Sequence, residues 1–143
     1  AVRAMCELGS RYGNGPVKGD LVAQSQKIPQ SFLENILHDM KRAGLIITQR
    51  GAEGGYRLAK APKDISIADI IRAVEGPLAD VRGQRPDSLE YEGSAEALRN
   101  VWLAVRANLR AVLEQVSIAD VADNRLPGFI AGILEDPEAH KPH

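Results

Sequence analysis

Residues 44–60, Gly-Leu-Ile-Ile-Thr-Gln-Arg-Gly-Ala-Glu-Gly-Gly-Tyr-Arg-Leu-Ala-Lys, leave the chain few ways to fold around them. The apolar, β-branched run ending at Ile47 suits one strand, and Tyr56 and Leu58 alternating with Arg57 suit a second. Between them Gly51, Gly54 and Gly55 supply the positive-φ positions of a turn, so the stretch predicts a β-hairpin. Arg50 stands at the start of that turn. A guanidinium on a narrow, glycine-flanked tip suits the minor groove of DNA, where the potential is most negative and only a slim element fits. The same hairpin could equally be a solvated surface turn, because glycine-rich turns join strands in proteins of every kind. Its neighbours decide.

Those neighbours are helical. Val2, Met5, Cys6 and Leu8 give residues 1–11 an apolar face, and Gly13, Asn14, Gly15 and Pro16 end the helix. Because the chain opens at Ala1, inside this pattern and without a Met, a short preceding segment is expected. Residues 17–26 predict a second, short helix that turns Val17, Leu21 and Val22 to a core, the size of the first helix of a helix-turn-helix. Lys27, Ile28 and Pro29 break it, with the proline near the first position of a new helix, where its missing N–H costs nothing. In residues 30–43 one stripe holds Phe32, Leu33, Ile36, Leu37 and Met40, and the other face holds Gln30, Ser31, Glu34, Asn35, His38, Lys41 and Arg42. Short polar side chains at a helix N-terminus can bond base edges, and the terminus itself favours phosphate. Any amphipathic surface helix shares that pattern, but the order helix, turn, helix, hairpin with arginine at its tip is that of a winged helix-turn-helix.

Beyond the hairpin, Ser66 and Asp69 form a capping box opening a helix over 67–75, which Gly76 and Pro77 stop. Residues 78–93 are polar and without period, as in a linker or effector loop. Over 94–116 the residues Leu98, Val101, Trp102, Val105, Leu109, Val112, Leu113 and Val116 recur at helical spacing for about six turns. A long amphipathic helix must cover its stripe, against its own chain or, more economically, against a second copy of itself. Ser117 to Asp120 repeats the earlier cap tetrapeptide and opens a short helix ending near Leu126 and Pro127. The charged tail from Glu135 reads as frayed. The expected fold is mainly α with a small β-hairpin wing. Its parts are a winged helix-turn-helix DNA-binding domain over 1–76, a linker or effector loop over 77–93, a dimerisation helix and C-terminal helix over 94–134, and a flexible tail over 135–143.

Charge divides the same way. Residues 1–61 carry nine Lys/Arg against five acids, and the remainder nine against fourteen, so a basic half suited to an anionic polymer joins an acidic one. With 44% apolar and 26% charged residues, and no apolar run near the roughly 18 residues that span a bilayer, an ordinary cytoplasmic globular chain is expected and no membrane partner. The single Cys6 excludes an internal disulfide framework. His38, His140 and His143 make no metal set, and Asp39, Glu53, Asp64 and Asp69 assemble no nucleophile, base and orienter, so no enzyme is expected.

Phe32 to Leu37, Lys41 to Ile46, Arg50 to Ala59 and Asp69 to Pro77 together resemble the Rrf2 (Rrf-two) family of bacterial winged-helix transcription regulators, which includes the iron-sulfur cluster regulator, the nitric-oxide-sensing repressor and the cysteine-metabolism repressor. The likeness runs over about residues 1–77. It implies a homodimer with the third helix in the major groove and the wing, 50–55, in the minor groove. Carried over by position, Ser31, Phe32 and Glu34 would face the groove, with Gln30 and Lys27 beside them, and Arg50 with Gly51 would make the wing contact. Two positions depart from the family: Pro29 replaces the usual serine cap, and Lys18, where a small hydroxylic residue is usual, could itself reach a phosphate. Cluster-binding relatives carry three cysteines, or a supported pair, in the loop where this chain has none, and an iron-sulfur centre requires thiolates. No cofactor is therefore expected.

The resulting expectation is a homodimeric, sequence-specific DNA-binding transcriptional regulator, a repressor, that reads a pseudo-palindromic operator. Leu98, Val101, Trp102, Val105, Leu109 and Val112 are the expected dimerisation residues. Two alternatives stay open at this point: a regulator switched by oxidation of the Cys6 thiol, which on an apolar helix face can also be a small buried hydrophobe, and a winged-helix protein-interaction module. The signal could be a small molecule held between the loop and the long helix, with Trp102 as a wall, or a protein effector, or none.

Overall fold

The computed structural model describes residues 1–142. Three helices, α1 (Val2–Ser10), α2 (Gly19–Gln26) and α3 (Gln30–Arg42), precede a hairpin of β1 (Ile46–Gln49) and β2 (Gly55–Leu58). Then follow α4 (Ile67–Glu75), a long α5 (Leu98–Leu113), and two short helices, α6 (Ile118–Ala122) and α7 (Gly128–Leu134). The hairpin pairs Ile46 with Leu58 and Gln49 with Gly55, so Ile46 and Leu58 turn into the core while Ile47 and Arg57 face solvent. The one fully buried pair, Ile46 opposite Leu58, anchors that register against the core.

One apolar core joins these elements. Met5, Leu8, Val22, Leu33, Leu37, Met40, Ile46, Leu58, Ile65 and Ile70 are all buried in it. The stripe expected on α3 holds, except at Phe32, which is 64% exposed: at the N-terminal end of α3 it points past the core. Helix α2 starts at Gly19, not at residue 17. Val17 instead pairs with Tyr56, each N–H donating to the other's carbonyl at 2.8 Å, and so lies as a third strand-like segment against the wing. Helix α2 closes on Lys27 in the left-handed conformation, φ +53°, where the chain turns sharply into α3.

Both capping boxes form. The Ser66 and Ser117 hydroxyls accept from the amides of Asp69 and Asp120, whose carboxylates accept in return from the serine amides. The two caps sit side by side: the Ile67 amide donates to the Val116 carbonyl, and the Ile118 amide to the Ile65 carbonyl, both at 2.9 Å. This bridge delivers Ile118, fully buried, onto α1. A Cβ at Gly9 would stand 2.7 Å from Ile118 Cγ2, which explains the glycine there. Thus the core built mostly by residues 1–76 is completed from the segment 94–134.

Helix α5 is shorter than the period over 94–116 suggests, because residues Gly93–Ala95 form a separate 3-10 turn before it. Residues 77–93, though polar, bury Leu78, Pro86 and Leu89. The tail carries a 3-10 turn, Pro137–His140, in which His140 Nε2 meets the Leu134 carbonyl at 2.7 Å. His143 lies outside the described residues.

Candidate nucleic-acid interface

The wing tip is built by close approach. A Cβ at Gly54 would fall 2.1 Å from the Gln49 carbonyl oxygen, and one at Gly55 would fall 2.4 Å from that of Val17. Only glycine lets the two strands and the Val17 segment converge there. Gly51 has φ +105° with open space around it, so it serves the turn and not a packing contact. Arg50 and Gly51 are exposed at the tip, and Arg50 has no hydrogen bond or ion pair among the described residues.

Lys18, just before α2, ties this tip down. Its Nζ donates to the Ala52 carbonyl at 2.7 Å, leaving two N–H donors of the ammonium free. The next residue, Gly19, lies between wing and α3: a Cβ there would make ordinary contacts, 3.4 Å from Tyr56 Cε2 and 3.8 Å from Gln30 Nε2. The start of α2, the start of α3 and the wing are therefore neighbours. Gln30, Ser31, Phe32 and Glu34 are exposed around the first turn of α3, as are Lys27 before it and Asn35 and His38 beyond. No side chain caps α3, so its first amides are available to an anion. All eight residues expected to face DNA are exposed. Neither the Lys18 to Ala52 bond nor the place of Gly19 between wing and α3 could be read from local pattern, since both join segments remote in the chain.

Behind this surface, Glu7 on α1 fixes the end of α2. Gln26 Nε2 donates to it at 3.0 Å and Arg11 Nε at 2.9 Å, while Arg3 Nη1 donates to the Gln26 carbonyl at 2.9 Å. Burial pushes the Glu7 carboxyl upward, but the hydrogen bonds from Gln26 and Arg11 outweigh it and hold the group below the usual carboxylate range. Cys6, half-buried on the same helix, has its thiol pushed up by burial, the opposite of what activates a cysteine.

The six expected dimerisation residues divide. Val101, Val105 and Leu109 are 50%, 41% and 39% exposed along one line of α5, whereas Leu98, Trp102 and Val112 are half-buried. Trp102 Nε1 donates to the Tyr91 hydroxyl at 3.1 Å, tying α5 to the preceding loop. No residue of α5 is fully buried within the chain.

A core of three helices with a glycine-built hairpin beside the exposed start of the third helix defines a winged helix-turn-helix DNA-binding regulator. The profile of the Rrf2 family, described as an iron-dependent transcriptional regulator, matches residues 1–124. This chain belongs to the Rrf2 family of transcriptional regulators, whose members are not enzymes. A Mycobacterium tuberculosis protein assigned as an HTH-type transcriptional regulator is 43% identical over 141 residues, covering 99% of this chain and 88% of its own. The solved structure of CymR, the global cysteine regulator of Bacillus subtilis, superposes with a TM-score of 0.70 at 32% identity, covering 84% of this chain and 88% of that one. That of IscR from T. potens does so with 0.68 at 31%, covering 99% and 86%.

The family description implies iron, and the donor set here does not fit an iron-sulfur cluster. One thiol exists, on α1 in the helical core, and the loop 77–93 offers carboxylates and guanidinium groups but no sulfur. Among the described residues no three His, Cys, Asp or Glu side chains gather to hold a metal ion. No helix among them is long and apolar enough to cross a membrane.

Proposed function

We propose that the protein is a cytoplasmic, homodimeric, sequence-specific repressor that works without an iron-sulfur cluster. Helix α3 enters the major groove of a pseudo-palindromic operator, and the wing, 50–55, enters the adjoining minor groove. The observation that carries this reading is the Lys18 bond to the wing tip together with Gly19 packed between Tyr56 and Gln30. The Lys18 bond ties the wing tip to the start of α2, beside the start of α3, and a wing set next to that helix suits two adjoining grooves of a duplex. Gln30, Ser31, Phe32 and Glu34 read base edges and the thymine methyl; Lys18 and Lys27 contact phosphates; Arg50 and Gly51 take the minor groove. Dimerisation uses the exposed line Val101, Val105 and Leu109, extended by Leu98, Trp102 and Val112, because an apolar stripe this long is stable in water only when covered.

Arg50→Ala is the direct test, read as operator affinity alongside the mass of the assembly. It costs about 1–3 kcal/mol of binding and leaves the dimer folded. Unchanged affinity removes the wing from the mechanism. The Cys6 switch is disfavoured, since burial raises the thiol and a reactive cysteine needs the reverse. A protein-interaction role is separated by salt, because only phosphate contacts release counterions.

A further inference from the structure

Where α4 meets α5, three guanidinium groups from three different segments border one cavity of about 280 Å³: Arg72 on α4, Arg85 in the loop and Arg106 on α5, with Gly76, Pro77 and Leu78 completing the wall. Like charges do not converge without a reason. Their carboxylates are few and shared. Glu114 accepts from Arg72 and, at 2.9 Å, from Arg110; Asp87 stands 3.1 Å from Arg85 and 3.7 Å from Arg106; Asp69 reaches Arg72 only at 4.0 Å, with its other oxygen committed to the Ser66 cap. The three guanidinium groups at the cavity thus depend on three carboxylates, one of which, Glu114, is drawn on by Arg110 as well. Arg106 Nε is buried and, among the described residues, has no hydrogen-bond partner, so the pairing with Asp87 leaves this guanidinium incompletely satisfied. The loop that leaves the cavity turns sharply: Ala79 and Arg82 have φ of +56° and +50°, near glycines 76 and 83 at +84° and +79°. Such conformations persist where the fold forces a particular loop shape, and they concentrate at binding sites.

We propose that this cavity binds a small oxyanion, the carboxylate or phosphate group of a metabolite, on Arg72, Arg85 and Arg106. A planar guanidinium offers paired donors matched to either group. The site links α4, which packs on the winged core, to α5, the helix assigned to self-association, so its ligand bears on the angle between them. This deepens the regulator reading by naming an effector class, but the binding itself needs no DNA.

The test is isothermal titration of the free protein with inorganic phosphate and, separately, acetate, each against chloride at equal ionic strength, with Trp102 fluorescence as a local reporter one helical turn from Arg106. Saturable binding of either anion is expected, at least about tenfold weaker in Arg106→Gln and in Arg85→Gln, with Arg106→Lys recovering only part because a point charge lacks the fork. Phosphate alone saturating points to a phosphorylated metabolite, and acetate saturating to a carboxylate. Circular dichroism checks that the variants fold, and Arg85, on an exposed loop, keeps the test valid if Arg106 variants do not. Failure of both anions to saturate, or equal binding by folded variants, overturns the site. Neither result touches operator binding, which is measured separately.

Discussion

Substituting Gly54 by alanine adds one methyl group where the wing has no room. The new Cβ would sit 2.1 Å from the Gln49 carbonyl oxygen and 2.8 Å from the Arg50 carbonyl carbon, so the strand end must retreat by about 1 Å to reach ordinary contact. Overpacking of this kind costs about 1–3 kcal/mol. A domain is stable by about 5–15 kcal/mol, so the hairpin tip opens instead of the domain unfolding. Opening it breaks the Gln49 to Gly55 pairing and withdraws the Ala52 carbonyl from Lys18. Arg50 then loses its fixed distance from α3. Operator affinity should fall by about 1–3 kcal/mol, roughly five- to 150-fold, with the helical circular dichroism signal retained. Gly51→Ala tests the tip separately: nothing lies within 4 Å of its added Cβ, but its φ of +105° strains alanine at a residue proposed to contact DNA, so it too should weaken binding. Fluorescence anisotropy with a labelled operator measures both. A Gly54→Ala protein that binds and melts like the parent would refute the close-approach account of the wing.

Three further outcomes follow from the same contacts. Val105→Asp places a charge in the middle of the exposed α5 line and should shift the native mass from dimer to monomer; a dimer of unchanged stability moves the interface elsewhere. Lys18→Ala should lower the salt slope by about one on any DNA and, because it also releases the Ala52 carbonyl at the wing tip, should cost the operator more than other sequences; an unchanged salt slope would remove the phosphate contact. Glu7 titrates below the ordinary carboxylate range in the folded chain, so it adds stability above its unfolded pKa of about 4.3, and that stability is lost as pH falls through the folded value. Thermal melts of Glu7→Gln should therefore be lower than the parent at neutral pH and converge with it under acid; parallel curves would contradict this.

The winged half was legible because its signals are local. Turn glycines, the α3 stripe and both serine caps each declare themselves within a few residues: both caps form, the stripe holds except at Phe32, and Gly51 and Gly55 take positive φ, whereas Gly54 is needed for the close approach of the strand instead. Contacts between distant segments left no such trace. Val17 looked like the start of a helix, yet it pairs with Tyr56, since a single strand-like residue has no period to read. Ile118 completes the core through the bridge between Ser66 and Ser117, a pairing across the chain that neither cap reveals alone. Phe32 fell on the apolar stripe by spacing but lies beyond the core's edge, because periodicity gives a direction and not a boundary. The loop 77–93 read as polar, and its order comes from three scattered apolar residues packed from outside the segment. The Arg72, Arg85 and Arg106 cluster is of the same kind: three residues ordinary in sequence, made unusual by the packing of α4, loop and α5.

The central claim is that α3 and the wing of two subunits read DNA together. Selection of bound duplexes from a random pool by the purified protein tests it most directly. The expected result is an enriched pseudo-palindrome whose half-sites repeat after a whole number of helical turns of about 10.5 base pairs, protected on both halves in a footprint. Enrichment of no sequence, or of a single asymmetric site held by one subunit, would contradict it.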